Sequence, residues 1–224
     1  EGVDLREAGV DAPIVVISPI LAEESEDAVF YGLRVLVEDA ETASALGRAA
    51  VGQHTMAQVH LEVDTNLARF GCTPECAPDL AKKIRTLPGV ELEGLTTHFA
   101  NSSWDVTGTE EQIRTYLGVK DACAAEGISF KWIHLANSAG AVRYPASRGT
   151  LVRTGIGAYG IDPYNLFAGQ ERPVLTWRAR VMVLRELPPN SPVSYAGTYR
   201  TRSFTTIATL GVGYGDGYPR ALSN

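Results

Sequence analysis

The sequence of 224 residues is poor in cysteine, in excess basic charge and in long apolar stretches, and each shortage excludes a class of protein. Three cysteines are too few for a disulfide framework in a chain of this length, which favours a reducing, cytoplasmic environment. Because phosphate neutralisation requires clustered lysine and arginine, a formal net charge of −6 argues against a nucleic-acid partner. No apolar stretch reaches the roughly 18 residues of a membrane span, so we predict no membrane partner.

The first residues, Glu1-Gly2-Val3, contain neither an initiating methionine nor the basic and apolar regions of a signal peptide. We therefore expect no secretory leader, and the missing methionine allows an internal piece of a longer protein. Apolar residues at 45% and charged residues at 21% are ordinary globular proportions, which excludes a disordered chain.

Short apolar runs alternate with amphipathic stretches over the first three quarters of the chain. The runs are rich in Val, Ile, Leu and Thr, as buried parallel strands are. The predicted strands are residues 13–18, 33–37, 58–64, 94–100, 132–138 and 151–155. The predicted helices between them are residues 23–31, 39–51, 78–86 and 107–125. Such alternation of strand and helix indicates a parallel sheet.

The length of the repeating unit favours a barrel. A (β/α)₈ barrel uses about 31 residues per unit, and residues 1–172 hold six predicted strands at about 29 residues each. Residues 174–187 and 204–212 instead predict antiparallel strands. We therefore predict an α/β fold: a partial (β/α)₈ TIM barrel with about six of eight strands over residues 1–172, then the start of a C-terminal β domain over residues 173–224. An open α/β sheet accommodates the same six strands.

Polar residues collect where four consecutive predicted strands end. Because the carboxyl ends of parallel strands meet at one edge of the sheet, these residues together predict a functional site. Any one of them alone is better explained as a polar group that caps the end of a strand or is buried with its hydrogen bonds satisfied. Backbone N–H groups near Gly155 and the Ser138 hydroxyl predict a phosphate site. Cys72 and Cys76 lack a second pair at zinc spacing, so we predict free thiols and no metal site. The strand-end residues are Asp64, Thr65, Asn66 and Arg69, then Thr97 and His98, then Asn137 and Ser138, then Arg153. We expect surface or packing roles for His54 and His60.

Six motifs, in order from residue 59 to residue 220, resemble those of the alanine racemases. They are VHLEVDT (59–65) with RFG (69–71), THFA (97–100), HLANSA (134–139), VRTGI (152–156) with YG (159–160), VSY (193–195) with TY (198–199), and GYGDGYPR (213–220).

This resemblance implies a pyridoxal-phosphate enzyme with an N-terminal barrel and a C-terminal β domain. It further implies a homodimer with shared sites, alanine as substrate, and a two-base interconversion of L- and D-alanine that supplies peptidoglycan synthesis. The implied cofactor-binding residues are Arg153 at the pyridine nitrogen, Ser138, Gly155 and Ile156 at the phosphate, and Asn137 and His134 in support. The implied catalytic residues are Tyr214, a base that reaches the partner's site, and His98 and Arg69 near that tyrosine or the substrate carboxylate.

The sequence departs from the family pattern at two places. The family's lysine for covalent attachment of the cofactor, in a V-K-A-N-A-Y-G-H-type motif, is missing, and none of Lys82, Lys83, Lys120 and Lys131 stands in such a motif. Glu62 occupies the position of a lysine that is often carbamylated, and we expect its carboxylate to replace the carbamate in part. We therefore predict that this chain is inactive alone. A racemase for serine or lysine, or a non-catalytic phosphate-binding barrel fragment, are the alternatives.

Overall fold

A computed structural model of the chain describes residues 1–222, and their contacts divide the chain into two units that meet after Pro173. The first unit extends from Glu1 to Pro173 and the second begins at Val174. Each unit is described below by itself.

A parallel sheet of five strands forms the centre of the first unit. Its strands lie side by side in chain order, so each connection crosses over to the next position in one direction. The strands are β1 (Val15–Val16), β2 (Arg34–Val37), β3 (Ala57–Glu62), β4 (Val90–Thr96) and β5 (Trp132–His134). The predicted α/β fold and partial TIM barrel are confirmed.

Helices follow the strands as the alternation of the sequence predicts. The helices are α1 (Gly2–Glu7), α2 (Ser25–Phe30), α3 (Ala40–Gly52), α4 (Ala77–Arg85), α5 (Val106–Ala125) and α6 (Ser138–Arg143), with 3₁₀ turns at Ala22–Glu24, Pro145–Ser147 and Ile156–Tyr159. Asp39 and Asp105 cap α3 and α5, because each carboxylate accepts a hydrogen bond from a first-turn N–H. No helix within residues 1–222 is long and apolar enough to cross a membrane.

The prediction of a sixth strand over residues 151–155 is wrong, because the backbone there is irregular. The Leu151 N–H donates to the Ile133 carbonyl and the Arg153 N–H donates to the Ala136 carbonyl, so the segment still follows β5. Gly155 then turns the chain with φ −95° and ψ −97°, which is not extended backbone, and a 3₁₀ turn begins at Ile156. This turn leaves too little extended chain for a ladder.

The core of the first unit lies between the sheet and its helices. Buried positions occupy almost all of β3 and β4, because both faces of a parallel barrel strand are covered. Leu61 and Leu95 are fully buried on these strands, and Ile84 and Tyr116 are fully buried on the helices.

The second unit is a set of short antiparallel pairs, as the alternating pattern predicts. Its strands are β6 (Val181–Leu187), β7 (Pro192–Val193), β8 (Tyr199–Arg200) and β9 (Thr205–Leu210). β6 pairs with β9, and β7 pairs with β8. The predicted strand over residues 174–187 begins only at Val181, and most of β6 is exposed on both faces.

Candidate active site

A cavity of about 480 Å³ lies at the carboxyl end of the sheet in the first unit. This is a usual size for a small-molecule site. Seven of the nine predicted site residues line it, and they come from the last residue of β5 and from the segments that follow β4 and β5. They are His98, His134, Asn137, Ser138, Arg153, Gly155 and Ile156. Apolar side chains, among them Ile17 and Leu166, form most of the remaining wall.

Arg153 lines this cavity, and both terminal nitrogens of its guanidinium are held by hydrogen bonds. Its Nη1 donates to the Thr96 hydroxyl at 2.9 Å, to the His134 carbonyl at 2.9 Å and to His134 Nδ1. Its Nη2 donates to the Thr97 carbonyl at 2.6 Å and to His98 Nδ1 at 3.2 Å. Within the described chain the Nε–H has no partner, so this is the donor that Arg153 can offer to a bound molecule.

His98 is a neutral side chain in this arrangement. Burial, together with the charges of Arg153 and Arg69, lowers the pKa of His98 to about 4. Because Arg153 donates to Nδ1, the single proton of the neutral ring lies on Nε2. His98 therefore offers a hydrogen-bond donor, and no positive charge, at neutral pH.

Ser138 and a glycine-rich turn form another part of the cavity lining. The Ser138 Oγ accepts hydrogen bonds from the N–H groups of Gly155 and Gly157, each at 3.1 Å. Its own proton is therefore free to point elsewhere. A side chain at residue 157 would crowd the Phe167 ring and Ser138, so this close approach requires glycine. The serine hydroxyl and the Ile156 N–H, which has no partner in the described backbone, suit an anionic group.

Asn137 connects the start of α6 to Ser102 in the segment that follows β4. Its Oδ1 accepts from the Gly140 N–H at 2.9 Å and from the Ser102 hydroxyl at 2.7 Å. It thus caps the helix that begins at Ser138 and fixes the direction of the serine.

Arg69 and Glu62 lie beside the cavity and are not part of its lining. The Asp64 carboxylate accepts hydrogen bonds from the N–H groups of Asn66, Leu67 and Ala68, which folds the loop that carries Arg69. Burial raises the pKa of Glu62 to about 7, although the charges of Arg153 and Arg69 oppose this shift. Glu62 forms no ion pair with any residue in the described part of the chain, so the expected replacement of the carbamate stays a prediction.

Tyr214 is the predicted catalytic residue that does not belong to the first unit. It lies in the second unit, at the start of a 3₁₀ turn (Tyr214–Asp216), with 70% of its side chain exposed. The Arg220 guanidinium lies 5.8 Å from its ring centroid.

His60 and Glu93 are polar residues of the interior that the sequence reasoning missed. Of the surface or packing role expected for His60, the surface alternative is wrong, because the ring is fully buried. Its Nδ1 lies 2.7 Å from His134 Nε2 and its Nε2 lies 3.2 Å from Glu93 Oε1. Glu93 in turn accepts from Arg34 Nε at 2.5 Å. A polar residue inside an apolar strand, two positions before Glu62 on the same face of β3, was the available signal.

Comparison with known families decides the membership of the chain. Residues 1–163 match the family model of the alanine racemase N-terminal domain, and residues 174–224 match that of the alanine racemase C-terminal domain. The chain belongs to the alanine racemase family.

Full-length relatives are considerably longer than this chain. The alanine racemases of Halothermothrix orenii and Symbiobacterium thermophilum are 39% and 38% identical to it, and in both cases all of this chain is aligned with 60% of the relative. The chain thus spans about 60% of the length of the curated alanine racemases that it matches.

Solved alanine racemase structures share the fold. The enzyme of a D-cycloserine-producing Streptomyces lavendulae matches with a TM-score of 0.86 at 27% identity over 97% of this chain and 59% of its own. The Bacillus anthracis alanine racemase with bound L-Ala-P matches with a TM-score of 0.78 at 28% identity over 96% of this chain and 57% of its own.

The lysines of this alanine racemase family member all lie away from the cavity. Lys82 and Lys83 are on α4 and Lys120 is on α5. Lys131 immediately precedes β5, at the end of the strand opposite to the cavity, where its ammonium lies 5.1 Å from the Trp132 ring centroid. None of the four lysines of the sequence lines the cavity.

Proposed function

We propose that this chain is the cofactor-binding part of an alanine racemase that interconverts L- and D-alanine. The observation that carries the proposal is one cavity lined both by a fixed arginine and by a serine–glycine anion cradle. The family membership supports alanine as the substrate. Catalysis itself requires more than this chain, because no lysine lines the cavity.

The donors of the cavity fit pyridoxal phosphate. The Ser138 hydroxyl and the Ile156 N–H suit a phosphate, and the free Nε–H of Arg153 suits a ring nitrogen that accepts. When bound, this cofactor supplies an electron sink that acidifies the α-carbon hydrogen of an amino acid. Arg153 remains charged and can only donate, so it keeps the ring nitrogen unprotonated and moderates that sink. Such moderation suits racemisation, which must return the proton to the same carbon.

The protons are moved by side chains of the protein. Racemisation requires an acid on one face of the α-carbon and a base on the other, and Tyr214 is our candidate for one of them. A phenol has an ordinary pKa near 10, so it requires stabilisation as phenolate. Since His98 is neutral, it would supply a hydrogen bond from Nε2, while Arg69 would supply the positive charge.

We also propose the assembly and location that the family resemblance implies. Residues 1–172 would be the incomplete barrel and residues 173–224 the start of the β domain of a cytoplasmic homodimer. Tyr214 would reach the site of the partner, and the high exposure of its side chain supports this assignment. The D-alanine formed would serve peptidoglycan synthesis.

The lysine and cofactor assignments can be tested together on this chain. The chain is mixed with pyridoxal phosphate, reduced with borohydride, and searched for pyridoxyl-lysine by mass spectrometry. We expect no lysine to be labelled stoichiometrically. One stoichiometric adduct, for example at Lys131, would contradict our placement of the lysines.

Noncovalent binding tests the cavity itself. We expect Arg153→Ala to weaken binding of pyridoxal phosphate at least tenfold, since a charge-assisted hydrogen bond contributes about 1.5–3 kcal/mol. Arg148→Ala is the matched control, because Arg148 is exposed and does not line the cavity. Equal affinities of both variants, measured by equilibrium dialysis, would overturn the proposed site. In a fusion that supplies the missing segments, D-alanine formation compared with racemisation of serine and lysine then defines the substrate.

A further inference from the structure

We propose that His60 and Glu93 are positioning residues, which fix the ring tautomer of His134 and thereby hold Arg153 in one orientation. They lie inside the barrel, outside the lining of the cavity, and neither belongs to the set of predicted site residues. The ligand that Arg153 meets rests on the proposed function, whereas the direction of each hydrogen bond follows from the structure alone.

The direction is set first at Arg153. A guanidinium has only donors, so the contact between Arg153 Nη1 and His134 Nδ1 requires an unprotonated Nδ1. Burial and the charge of Arg153 both lower the pKa of His134, so the ring is neutral and carries its proton on Nε2. His134 therefore points a lone pair at Arg153 and a donor in the opposite direction.

His60 receives that donor. Its Nδ1 lies 2.7 Å from His134 Nε2 and must accept, which leaves the proton of a neutral His60 on Nε2. That nitrogen lies 3.2 Å from Glu93 Oε1, so His60 donates to the carboxylate. His60 is held neutral because burial, the largest influence, lowers its pKa.

A second guanidinium, that of Arg34, fixes the far end of this series of hydrogen bonds. Arg34 Nε donates to Glu93 Oε1 at 2.5 Å, and the hydrogen bonds from His60 and Arg34 keep the pKa of Glu93 below its ordinary value. A permanent donor at each end and a carboxylate between them leave both imidazoles only one arrangement. We call Arg34, Glu93, His60 and His134 the interior relay.

The interior relay takes one residue from each of four neighbouring strands, β2 to β5. The parallel register places His60 opposite Gly94 and Thr96 opposite His134, and the centroids of the two rings lie 5.0 Å apart. Any side chain at residue 94 would collide with the His60 ring, so the glycine leaves room for it. Sequence neighbours alone could not assemble this row.

The dry surroundings make the tautomer restrictive. His60 and His134 are at most 1% exposed and Glu93 is 5% exposed, so water cannot replace a lost partner. In the other tautomer of His134, Nδ1–H would face the Arg153 N–H, and two donors would stand unpaired. Because Nη1 and Nη2 of Arg153 donate hydrogen bonds to residues inside the barrel, the fixed tautomer of His134 determines the direction in which the Arg153 Nε–H points.

Histidine ¹⁵N NMR on the full chain reads the tautomers directly. The sequence contains four histidines, and exposed His54 provides a reference ring. We expect His60 and His134 to show Nε2–H and unprotonated Nδ1, unchanged between pH 6 and pH 8. An Nδ1–H tautomer of His134, or rapid averaging of its two nitrogens, would overturn the proposal.

Substitutions at Glu93 test whether the effect is transmitted to Arg153. We expect Glu93→Ala to shift the nitrogen signals of His134 and to weaken noncovalent binding of pyridoxal phosphate roughly three- to tenfold. Glu93→Gln retains a carbonyl acceptor for His60 and should restore most of both properties. Glu91→Ala is the matched control, because Glu91 is an exposed residue on the same strand.

The outcomes separate the two proposals. A His134 signal that is as unchanged in Glu93→Ala as in Glu91→Ala would refute the positioning role even if the cofactor binds. Absence of cofactor binding to the unmodified chain, with both tautomers as expected and the Glu93→Ala shift present, would refute the proposed function and leave the positioning of Arg153 supported. If Glu93→Ala does not fold, the spectrum of the unmodified chain still decides the tautomers.

Discussion

The parallel sheet of the first unit buries its apolar side chains, whereas the C-terminal ribbon of β6 and β9 exposes them to solvent. Leu61 and Leu95 in the parallel sheet are fully buried, whereas Met182 and Leu184 on β6 are 64% and 65% exposed. Because apolar burial is the main favourable term in folding, the sheet supplies its own stability. A two-stranded ribbon with exposed faces supplies little, as isolated hairpins in water do. The comparison shows that similar apolar content in two segments does not imply a similar core.

The same contrast holds for the polar groups of the site. In the first unit, His60 and His134 are buried and each finds a partner inside the barrel. Tyr214 in the second unit is instead exposed to solvent. The first unit thus holds the residues of the proposed binding site in buried, hydrogen-bonded surroundings, while the side chain proposed as a base is exposed.

Matched leucine substitutions should give the largest difference in stability between the two regions. We expect Leu95→Ala to reduce the free energy of unfolding by about 2–5 kcal/mol, because it removes buried methyl groups and leaves a cavity. Leu184→Ala should change it by less than about 0.5 kcal/mol, since that side chain is already in water. Urea unfolding followed by circular dichroism measures both. Equal losses would mean that β6 has a core of its own.

Glu62 should make the stability of the first unit depend on pH. Its pKa is about 7 in the folded chain and near 4.5 in the unfolded chain, so the folded state binds more protons between these values. Stability from this group is therefore complete below pH 4.5 and is lost as the pH rises through 7, by roughly 3 kcal/mol at most.

Unfolding measured from pH 4.5 to pH 8 tests this dependence. Glu62→Gln should remove the loss, because the amide has no proton to release. Glu186→Gln on exposed β6 should leave the profile as it is in the unmodified chain. A profile of Glu62→Gln that still falls as steeply would place the titrating group elsewhere.

Most of the fold, and several polar residues of the cavity lining, could be predicted from the sequence because both depend on local patterns. Strand ends are readable from apolar runs, and parallel strands deliver their ends to one edge, so His98 and Ser138 were found together. The resemblance to alanine racemases added roles for these residues. The strand over residues 151–155 was wrong because the backbone of Gly155, and not the apolar content of the segment, determines where the chain turns.

The interior relay could not be predicted, because it depends on register. His60 and Glu93 lie within strands and meet only when β3 pairs with β4 as it does here. The shifted pKa of Glu62 likewise depends on burial produced by neighbouring strands. Such properties arise from packing between segments that are distant in the chain.

A pair of tyrosines provides the smallest and most selective comparison. The Tyr116 hydroxyl, fully buried on α5, donates to the Leu95 carbonyl at 2.6 Å, whereas Tyr199 on β8 is 43% exposed. We expect Tyr116→Phe to lower the free energy of unfolding by about 0.5–1.5 kcal/mol, because the carbonyl loses a donor that water cannot replace. Tyr199→Phe should have almost no effect. If both variants unfold at the same urea concentration as the unmodified chain, the hydrogen bond between α5 and β4 adds no net stability, and the difference between the two regions rests on apolar burial alone.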